Sequence, residues 1–313
     1  KYVAGGWEHC TIRVLPTGKV ELVTGTSPHG QGHETAWSQI ASDTLGIPVD
    51  DIEVIHGDTR TSPYGMDTYG SRSLAVGGQA ILRAGEKVVE KARLIAAHQL
   101  ECSANDLEFD NGVFRVKGDP SKEKAIQAVA FEAFSAHDLP DGLEPTLQAE
   151  STVDPQDFSY PHGTHLCAME VDTETGKSTI RSYVCVDDIG IQINPLIVEG
   201  QVHGGLAQGI AQALYEGAVY DSDGQLLTAS FADYLVPSAP DLPSFVTDHT
   251  VTPSTTNPLG TKGVGEAGAI ASTPAVINAI VDALRPYGVN DVPMPALPMT
   301  VWRTLNAARQ GGK

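Results

Sequence analysis

Apolar residues recur at every second position over residues 11–25, at Ile12 and Val14 and again at Val20 and Leu22 beyond a Pro16-Thr17-Gly18 turn. That period places one face of each run on a core, and so predicts a β-hairpin. A polar stretch, residues 26–35, leads into a helix carrying Ala36, Ile40 and Leu45, with Gly46 as its stop. Residues 51–56 read as a short strand running into Gly57, Asp58 and Thr59. After a polar loop at 66–73, residues 74–100 form a long helical segment with Gly77 and Gly78 in its first turns. Each costs about 1 kcal/mol against alanine, which a close approach of helix, strand or ligand would explain. A hairpin follows at 107–116, turning at Asp110-Asn111-Gly112, then a charged, proline-containing connector at 117–124 and a helix at 125–136. Residues 139–160 hold Pro140, Pro145 and Pro155 and make the best internal linker candidate, read as a long excursion rather than a domain boundary because the same kinds of unit resume after it.

Beyond it the same character resumes. Residues 165–171 and 178–186 alternate around a turn at 172–177 and predict a second hairpin. A polar turn at 187–195 then feeds a helix at 198–215 that contains Gly200, Gly204, Gly205 and Gly209, which implies close backbone approach. Residues 220–227 suggest a hairpin with its turn at 222–224, and the proline-rich stretch 240–258 an irregular wrap. Ser272-Thr273-Pro274 then reads as a helix start, with a hydroxyl N-cap and Pro274 at the first helical position, and the stripe of this helix is Val276, Ile277, Ile280, Val281 and Leu284. The predicted fold is α+β or mixed α/β, with hairpins, mixed sheets and glycine-containing helices. Twice a hairpin delivers the chain into a polar glycine loop and a helix, which suggests two similar subdomains at 1–145 and 146–313. Polar loops then gather at the carboxyl ends of strands, where α/β ligand sites lie.

Composition narrows the function classes. The net charge is −19 over 313 residues, with an isoelectric point near 4.7. Together with the absence of Lys/Arg clusters interleaved with aromatics, this removes a basic nucleic-acid footprint. Cys10, Cys102, Cys167 and Cys185 are far apart and form no CxxC pair, which fits a reducing, cytoplasmic compartment better than a disulfide framework. No signal peptide and no apolar run of about 18 residues is evident, so no membrane span is expected. The opening Lys1-Tyr2-Val3-Ala4 stands in mid-pattern, as in a piece of a longer chain or a processed subunit.

Candidate chemistry centres on residues 257–275. Gly260, Gly263 and Gly265 lead to a single carboxylate, Glu266, and Gly268 follows. A glycine loop at a helix start presents backbone N–H groups to an anion. A glutamate there competes with that anion and so becomes a candidate general base; a solvated surface loop is the plain alternative. His29 and His33 stand four apart with Gly30 and Gly32 between them. A loop cradle built from Gln31, Gly32 and the next helix start suits them better than a metal pair. Thr68, Tyr69, Gly70, Ser71, Arg72 and Ser73 set hydroxyls around a guanidinium ahead of a helix, which suits phosphate as well as it suits a capped helix with Arg72 in solvent. Asp187, Asp188, Gly190, Asn194 and Pro195 fit either a polar site or an Asx turn before a helix. No G-x-S-x-G elbow occurs, and no cysteine lies in an electropositive loop. A metal-dependent hydrolase using His29, His33 and Asp58 is one competing reading, and a non-catalytic scaffold another.

In collinear order, GTSPHGQGHET (25–35), GIPVDDIEVIHGDT (46–59), TYGSRS (68–73), HLCAMEVDTETG (165–176), VDDIGIQINPLIVEGQVHGGLAQGIAQALYE (186–216) and NPLGTKGVGEAGAIASTPAVINAIVDAL (257–284) span nearly the whole chain. Together they resemble the C-terminal half of the large, molybdopterin-binding subunit of the xanthine oxidase family of molybdenum hydroxylases, of the aerobic carbon monoxide dehydrogenase and aldehyde oxidase type. The resemblance implies a molybdopterin cytosine dinucleotide whose molybdenum is held by the pterin dithiolene rather than by side chains. Gln31, Gly32 and His33, then Tyr69, Gly70, Ser71, Arg72 and Ser73, then Asp187, Asp188 and Asn194 would contact pterin and phosphates. Lys262, Gly263, Val264 and Gly265 would bring Glu266 beside the metal, as base on a metal-bound hydroxide. Burial there would raise the carboxyl's pKa. The implied reaction hydroxylates an aldehyde or N-heteroaromatic carbon with water as oxygen source, or oxidises carbon monoxide. Implied partners are the N-terminal half of the large subunit or a second molybdopterin subunit, an FAD-binding medium subunit and a [2Fe–2S] small subunit. Ile189 departs from the family, which often has cysteine there.

Overall fold

The computed structural model describes residues 6–62 and 64–311. The first alternating stretch forms β1 (Glu8–Val14) and β2 (Val20–Thr24), antiparallel, with Cys10, Ile12, Val14, Val20 and Leu22 buried. Then come α1 (His33–Leu45) and β3 (Ile52–Ile55). Gly46 ends α1 in the left-handed conformation, its N–H on the Ser42 carbonyl. A π-helical turn, Ser73–Gly77, runs into α2 (Gly78–Gln99). β4 (Leu107–Asp110) and β5 (Val113–Val116) turn through Asn111 and Gly112, both at positive φ as a tight hairpin requires. Next are β6 (Asp119–Ala125), α3 (Ile126–Ser135) and β7 (Leu147–Val153). The chain continues with β8 (His162–Val171), β9 (Ser178–Asp188), α4 (Pro195–Leu214), β10 (Phe245–Thr250), α5 (Ala267–Leu284) and α6 (Pro298–Gly311).

Contacts divide the chain into two units. The first runs to Tyr160 and takes back Ile191–Asn194 and Pro253–Gly263; the second holds Pro161–Gly190, Pro195–Thr252 and the chain from Val264. The position 145/146 lies inside the first. In that unit a sheet of order β3-β2-β1-β7 packs on α1 and α2. Trp37, Leu45, Ile81, Val88 and Ile95 meet Ile12, Leu22 and Leu147 in its core. A separate sheet, β4-β5-β6, packs Phe114 beside α3. In the second unit a sheet of order β10-β9-β8 lies with α4, α5 and α6 around Tyr183, Leu206, Ile210, Ile280, Leu284 and Leu305.

The mixed fold agrees with the expectation from sequence, with local corrections. Residues 139–160 are not a linker: β7 pairs antiparallel with β1 along its whole length, and Leu147 is fully buried. The connector at 117–124 is largely the edge strand β6, whose Lys122 and Glu123 are exposed while Lys124 is partly buried and donates to Gln99 Oε1. Charge on an edge strand discourages further pairing and hides the strand from a periodicity argument. The supposed wrap at 240–258 contains β10, parallel to β9. The 220–227 segment is a turn with one bridge, Tyr220 to Leu226, rather than two strands. α5 begins at Ala267, directly after Glu266, so Pro274 lies inside it and deprives the Ile270 carbonyl of its helical partner.

By length and composition alone the segment from Ala267 to Tyr287 is apolar enough to cross a membrane, at mean hydropathy 1.4. Its buried residues Val276, Ile280 and Leu284 lie in the core with α4.

Glycines set the α4–α5 crossing. A Cβ at Gly268 would lie 2.5 Å from the Val202 carbonyl oxygen, and one at Gly209 would lie 1.8 Å from Ser272 Oγ. The Thr273 hydroxyl donates to the Gly209 carbonyl at 3.1 Å, which fixes the register. Gly200 and Gly204, on the same helix, meet nothing. Gly268→Ala should therefore cost about 1–3 kcal/mol by overpacking, whereas Gly200→Ala should be neutral or stabilising by up to about 1 kcal/mol. Urea unfolding of the two variants checks the contrast, and equal effects would show that the crossing is not tight.

Candidate functional site

In the first unit the site segments are gathered by one buried carboxylate. Glu8 occupies an inward position of β1 and is fully buried. Its Oε2 accepts from Arg72 Nη1 at 2.7 Å, and the two side chains are 0% and 2% exposed. The guanidinium also donates to backbone carbonyls, Asp67 at 2.5 Å from Nη1, Gly6 at 2.6 Å and Trp7 at 2.9 Å from Nη2, and it lies 5.5 Å from the centroid of the Tyr69 ring. Neither sequence expectation for Arg72 describes this. It does not stand in solvent, and these donors face inward, on the protein's own backbone and Glu8.

Around that pair the loops lock together. A Cβ at Gly25 would lie 2.3 Å from Glu8 Oε1 and 2.5 Å from the Gly65 Cα, so the two glycine backbones touch across the carboxylate. Ser62 Oγ donates to the Thr24 carbonyl at 2.5 Å. Ser27 donates its N–H and its hydroxyl to Asp67 Oδ1, each at 2.8 Å. Burial pushes the Asp67 carboxyl up, but these donors and the Thr68 N–H outweigh it and hold the group below its ordinary range.

Two helix starts open from these loops. Gly32, in the left-handed conformation, precedes α1 without a side-chain cap. The Gln31 amide oxygen turns back onto the His29 N–H. Asp67, Gly70 and Ser71 all have positive φ, and Arg72 starts the π-helical turn, again without a side-chain cap. Left-handed non-glycine residues and π turns both carry strain, and both cluster at functional sites. Tyr69 is half exposed, and Ser73 Oγ donates to Thr68 Oγ1 at 2.8 Å.

His33 is buried and stacks on Trp37 at 4.7 Å, while the Trp37 indole N–H reaches Thr26 Oγ1 at 3.0 Å. Its Nδ1 has no hydrogen-bond partner. Burial lowers its pKa to about 4, against a smaller upward pull from Glu34, so the ring is neutral at pH 7.

The remaining segments of this unit join the same loops. The Asn194 amide donates to Gln39 Oε1 at 3.0 Å, and the Ile191 N–H to the Gly260 carbonyl at 3.0 Å. Buried Asn257 clasps Thr261 through both amide atoms. Gly263 lies against the Tyr69–Ser73 loop, since a Cβ there would fall 2.2 Å from the Ser71 carbonyl oxygen. Gly260 is crowded by Ile191 and Pro253. These glycines thus accommodate protein, as Gly268 does on α4. Lys262 is buried.

In the second unit Asp187 and Asp188 end β9. Asp188 is spent on the turn: its Oδ1 accepts from the Gly190 N–H and its Oδ2 from Thr250 Oγ1, both at 3.1 Å. Asp187 leans over Gly163, with Oδ1 3.3 Å from His165 Nε2, and His165 Nδ1 lies 2.9 Å from the Tyr183 hydroxyl. Val264 and exposed Gly265 lead to Glu266, the N-cap of α5. Glu266 is exposed within this chain, where the resemblance implied burial beside a cofactor. Ile189 is buried.

The His29, His33 and Asp58 centre does not form. Among the described residues the one trio with metal-binding geometry is His165, Cys185 and Asp187, while Asp58 is exposed and accepts from the Arg60 N–H. Glu8 and the Tyr183–His165–Asp187 chain were missed from sequence. The signal for Glu8 was a carboxylate on the inward register of Cys10, Ile12 and Val14. Nothing comparable marks His165.

Residues 2–243 match the family model described as "Molybdopterin cofactor-binding domain". The chain is 45% identical over 301 residues to the carbon monoxide dehydrogenase large chain of Hydrogenophaga pseudoflava, covering 96% of this chain and 37% of that one. It is 37% identical over 294 residues to the nicotine 6-hydroxylase large subunit of Paenarthrobacter nicotinovorans, covering 94% and 36%. It therefore spans little more than a third of the curated relatives it matches. Among solved structures, the Cu,Mo-CO dehydrogenase aligns at TM-score 0.91 and 42% identity over 96% of this chain and 38% of that one. Quinoline 2-oxidoreductase from Pseudomonas putida 86 aligns at 0.89 and 38% identity, covering 96% and 38%.

Two outcomes follow from this geometry. Arg72→Met leaves Glu8 buried and unpaired and should cost about 3–5 kcal/mol, much of it recovered in the Glu8→Gln/Arg72→Met double variant; denaturant unfolding measures both. The lowered His33 pKa means that the unfolded chain takes up a proton which the folded chain refuses. That contribution is intact above the ordinary value of 6.5 and is lost as pH falls toward about 4. Stability curves of His33→Gln should lack that slope, and an unchanged slope would place the titration elsewhere.

Proposed function

Because the chain belongs to the molybdopterin cofactor-binding family and, within it, to the molybdenum hydroxylases of the xanthine oxidase family, we propose that it is the cofactor-holding part of a large subunit that hydroxylates an electrophilic carbon, of an aldehyde or N-heteroaromatic, with water as oxygen source, or oxidises carbon monoxide. Molybdenum-bearing molybdopterin is the family's cofactor. Its cytosine dinucleotide form belongs to the proposal, as do an FAD-binding and a [2Fe–2S] partner subunit and the cytoplasmic location.

The observation that carries the reading is the start of α1, left without a side-chain cap behind left-handed Gly32, together with the positive-φ loop at Gly70 and Ser71. Uncapped N–H groups suit the phosphate of a pterin nucleotide, and neutral, unpartnered His33 Nδ1 suits a polar neighbour without adding charge. When bound, the cofactor supplies the metal centre at which the substrate is oxidised and takes up its electrons.

The roles of this chain's residues divide accordingly. Gln31, Gly32 and His33 present one cradle, and Tyr69, Gly70, Ser71 and Ser73 the other, with Arg72 holding the second loop from inside. Asp187 and Asn194 serve as polar contacts from their own segments, a carboxylate being suited to N–H donors rather than to phosphate. Asp188 holds its turn in shape. Lys262 contributes positive charge, and Gly263 seats its segment against Ser71. Val264 and Gly265 aim Glu266, whose carboxylate takes the proton released during oxygen transfer and later returns it to water. Proton transfer by a positioned side chain typically accelerates a reaction by about 10²–10⁴-fold.

In the complete enzyme, Glu266→Gln should keep molybdenum and pterin at wild-type levels while turnover falls by roughly 10²-fold or more. Metal analysis, pterin fluorescence and assays on carbon monoxide, aldehydes and N-heteroaromatics read both arms. Near-normal turnover would remove Glu266 from the chemistry, and a preparation with zinc and no pterin would sink the whole reading.

A further inference from the structure

The outward face of β1 carries a second feature, independent of the cofactor reading. Side chains alternate along a strand, so Glu8 points into the core and Trp7 and His9 point away from it. Together with Tyr64, Glu150, Thr152 and Asp154 they line a surface cleft of about 580 Å³ in the first unit. That volume lies in the range of small-molecule sites.

The lining selects a charge. His9 and Tyr64 meet edge to face at 5.7 Å, and Trp7 adds a second large ring. Both nitrogens of His9 are within reach of hydroxyls, Thr152 Oγ1 at 2.9 Å and Thr11 Oγ1 at 3.2 Å, so the ring is held as a wall. Glu150, opposite Thr11 across the β1–β7 ladder, is 72% exposed at its side chain and 3.9 Å from His9 Nε2. Aromatic faces attract cations through their quadrupole, and a rim carboxylate adds a point charge of the right sign. A chain of net charge −19 repels anions from the same cleft.

We infer that this cleft is a binding site for a primary alkylammonium group, its stem on the Trp7 and Tyr64 rings and its nitrogen at Glu150. The group can come from a free amine or from the lysine side chain of a partner polypeptide. Tyr64 gives the site a second consequence. Its neighbour Gly65 is wedged between Gly25 and Glu8, so an occupant steadies the loop leading to Arg72.

The complete enzyme is titrated with n-butylammonium chloride, with n-butanol as the uncharged control, while tryptophan emission is compared between wild type and Trp7→Phe. A saturable change that disappears in Trp7→Phe and is absent with butanol is expected. Glu150→Gln should raise its half-saturation about fivefold, the worth of one exposed ion pair. If a partner lysine already fills the cleft, the amine produces no change. Carbodiimide treatment then joins Glu150 to a lysine of another polypeptide, and Glu150→Gln abolishes the crosslink. No response together with no crosslink overturns the inference. So does a response that is the same in Glu150→Gln and Tyr64→Leu.

Discussion

Glu8 and Arg72 meet inside the first unit with almost no access to water, and the loops of that unit are arranged around the meeting. Burying two charges costs several kcal/mol per ion unless each is fully paired and hydrogen-bonded. Here the guanidinium is paired with Glu8 and with the backbone carbonyls of Gly6, Trp7 and Asp67. Those carbonyls belong to the run into β1 and to the loop before the π-helical turn. The charge can be satisfied only when both segments are in place, so the pair specifies loop geometry more than it adds stability. Gly25 and Gly65 close the arrangement, because any side chain at either would strike the carboxylate or the opposite backbone.

A second constraint is steric. The glycine loop that leads to Glu266 resembles a cradle shaped for a ligand, yet Gly260 clears Ile191 and Pro253, Gly263 clears Ser71, and Gly268 clears α4. Open backbone in the first unit lies elsewhere, at Gly30, Gly57, Gly118 and Gly142, where an added Cβ would meet nothing, and at the uncapped start of α1. Local glycine content thus marks two different things. One is close packing of protein on protein, and the other is exposure of N–H groups. Only neighbours distant in sequence distinguish them.

That difference explains what was legible in the sequence. The hairpins of β1–β2, β4–β5 and β8–β9, and α1 with its Gly46 stop, follow from periodicity and turn chemistry, which act over a few residues. β7 and β10 were missed because each is made a strand by a partner far away, β1 and β9 respectively, and each lies in proline-bearing surroundings that read as loop. Ser-Thr-Pro is a good local helix opening and points to a first helical residue at Pro274; with Gly268 packed on α4 the helix starts at Ala267, about two turns earlier. The family was legible as a set of motifs, since the ordered recurrence of six segments carries more information than any one of them. Arg72 was legible as a guanidinium in a polar loop before a helix but not as a buried ion, because its partner Glu8 lies 64 residues earlier in the chain.

The central claim is that the Gln31–His33 and Tyr69–Ser73 loops form the cofactor cradle and that Arg72 supports it from behind. A near-atomic structure of the cofactor-loaded enzyme tests this most directly. The account predicts pterin nucleotide density over the N–H groups at Gly32 and at Gly70–Ser73, with Arg72 still paired to Glu8. Arg72 turned out of the core onto a phosphate, or pterin density away from both loops, would contradict it.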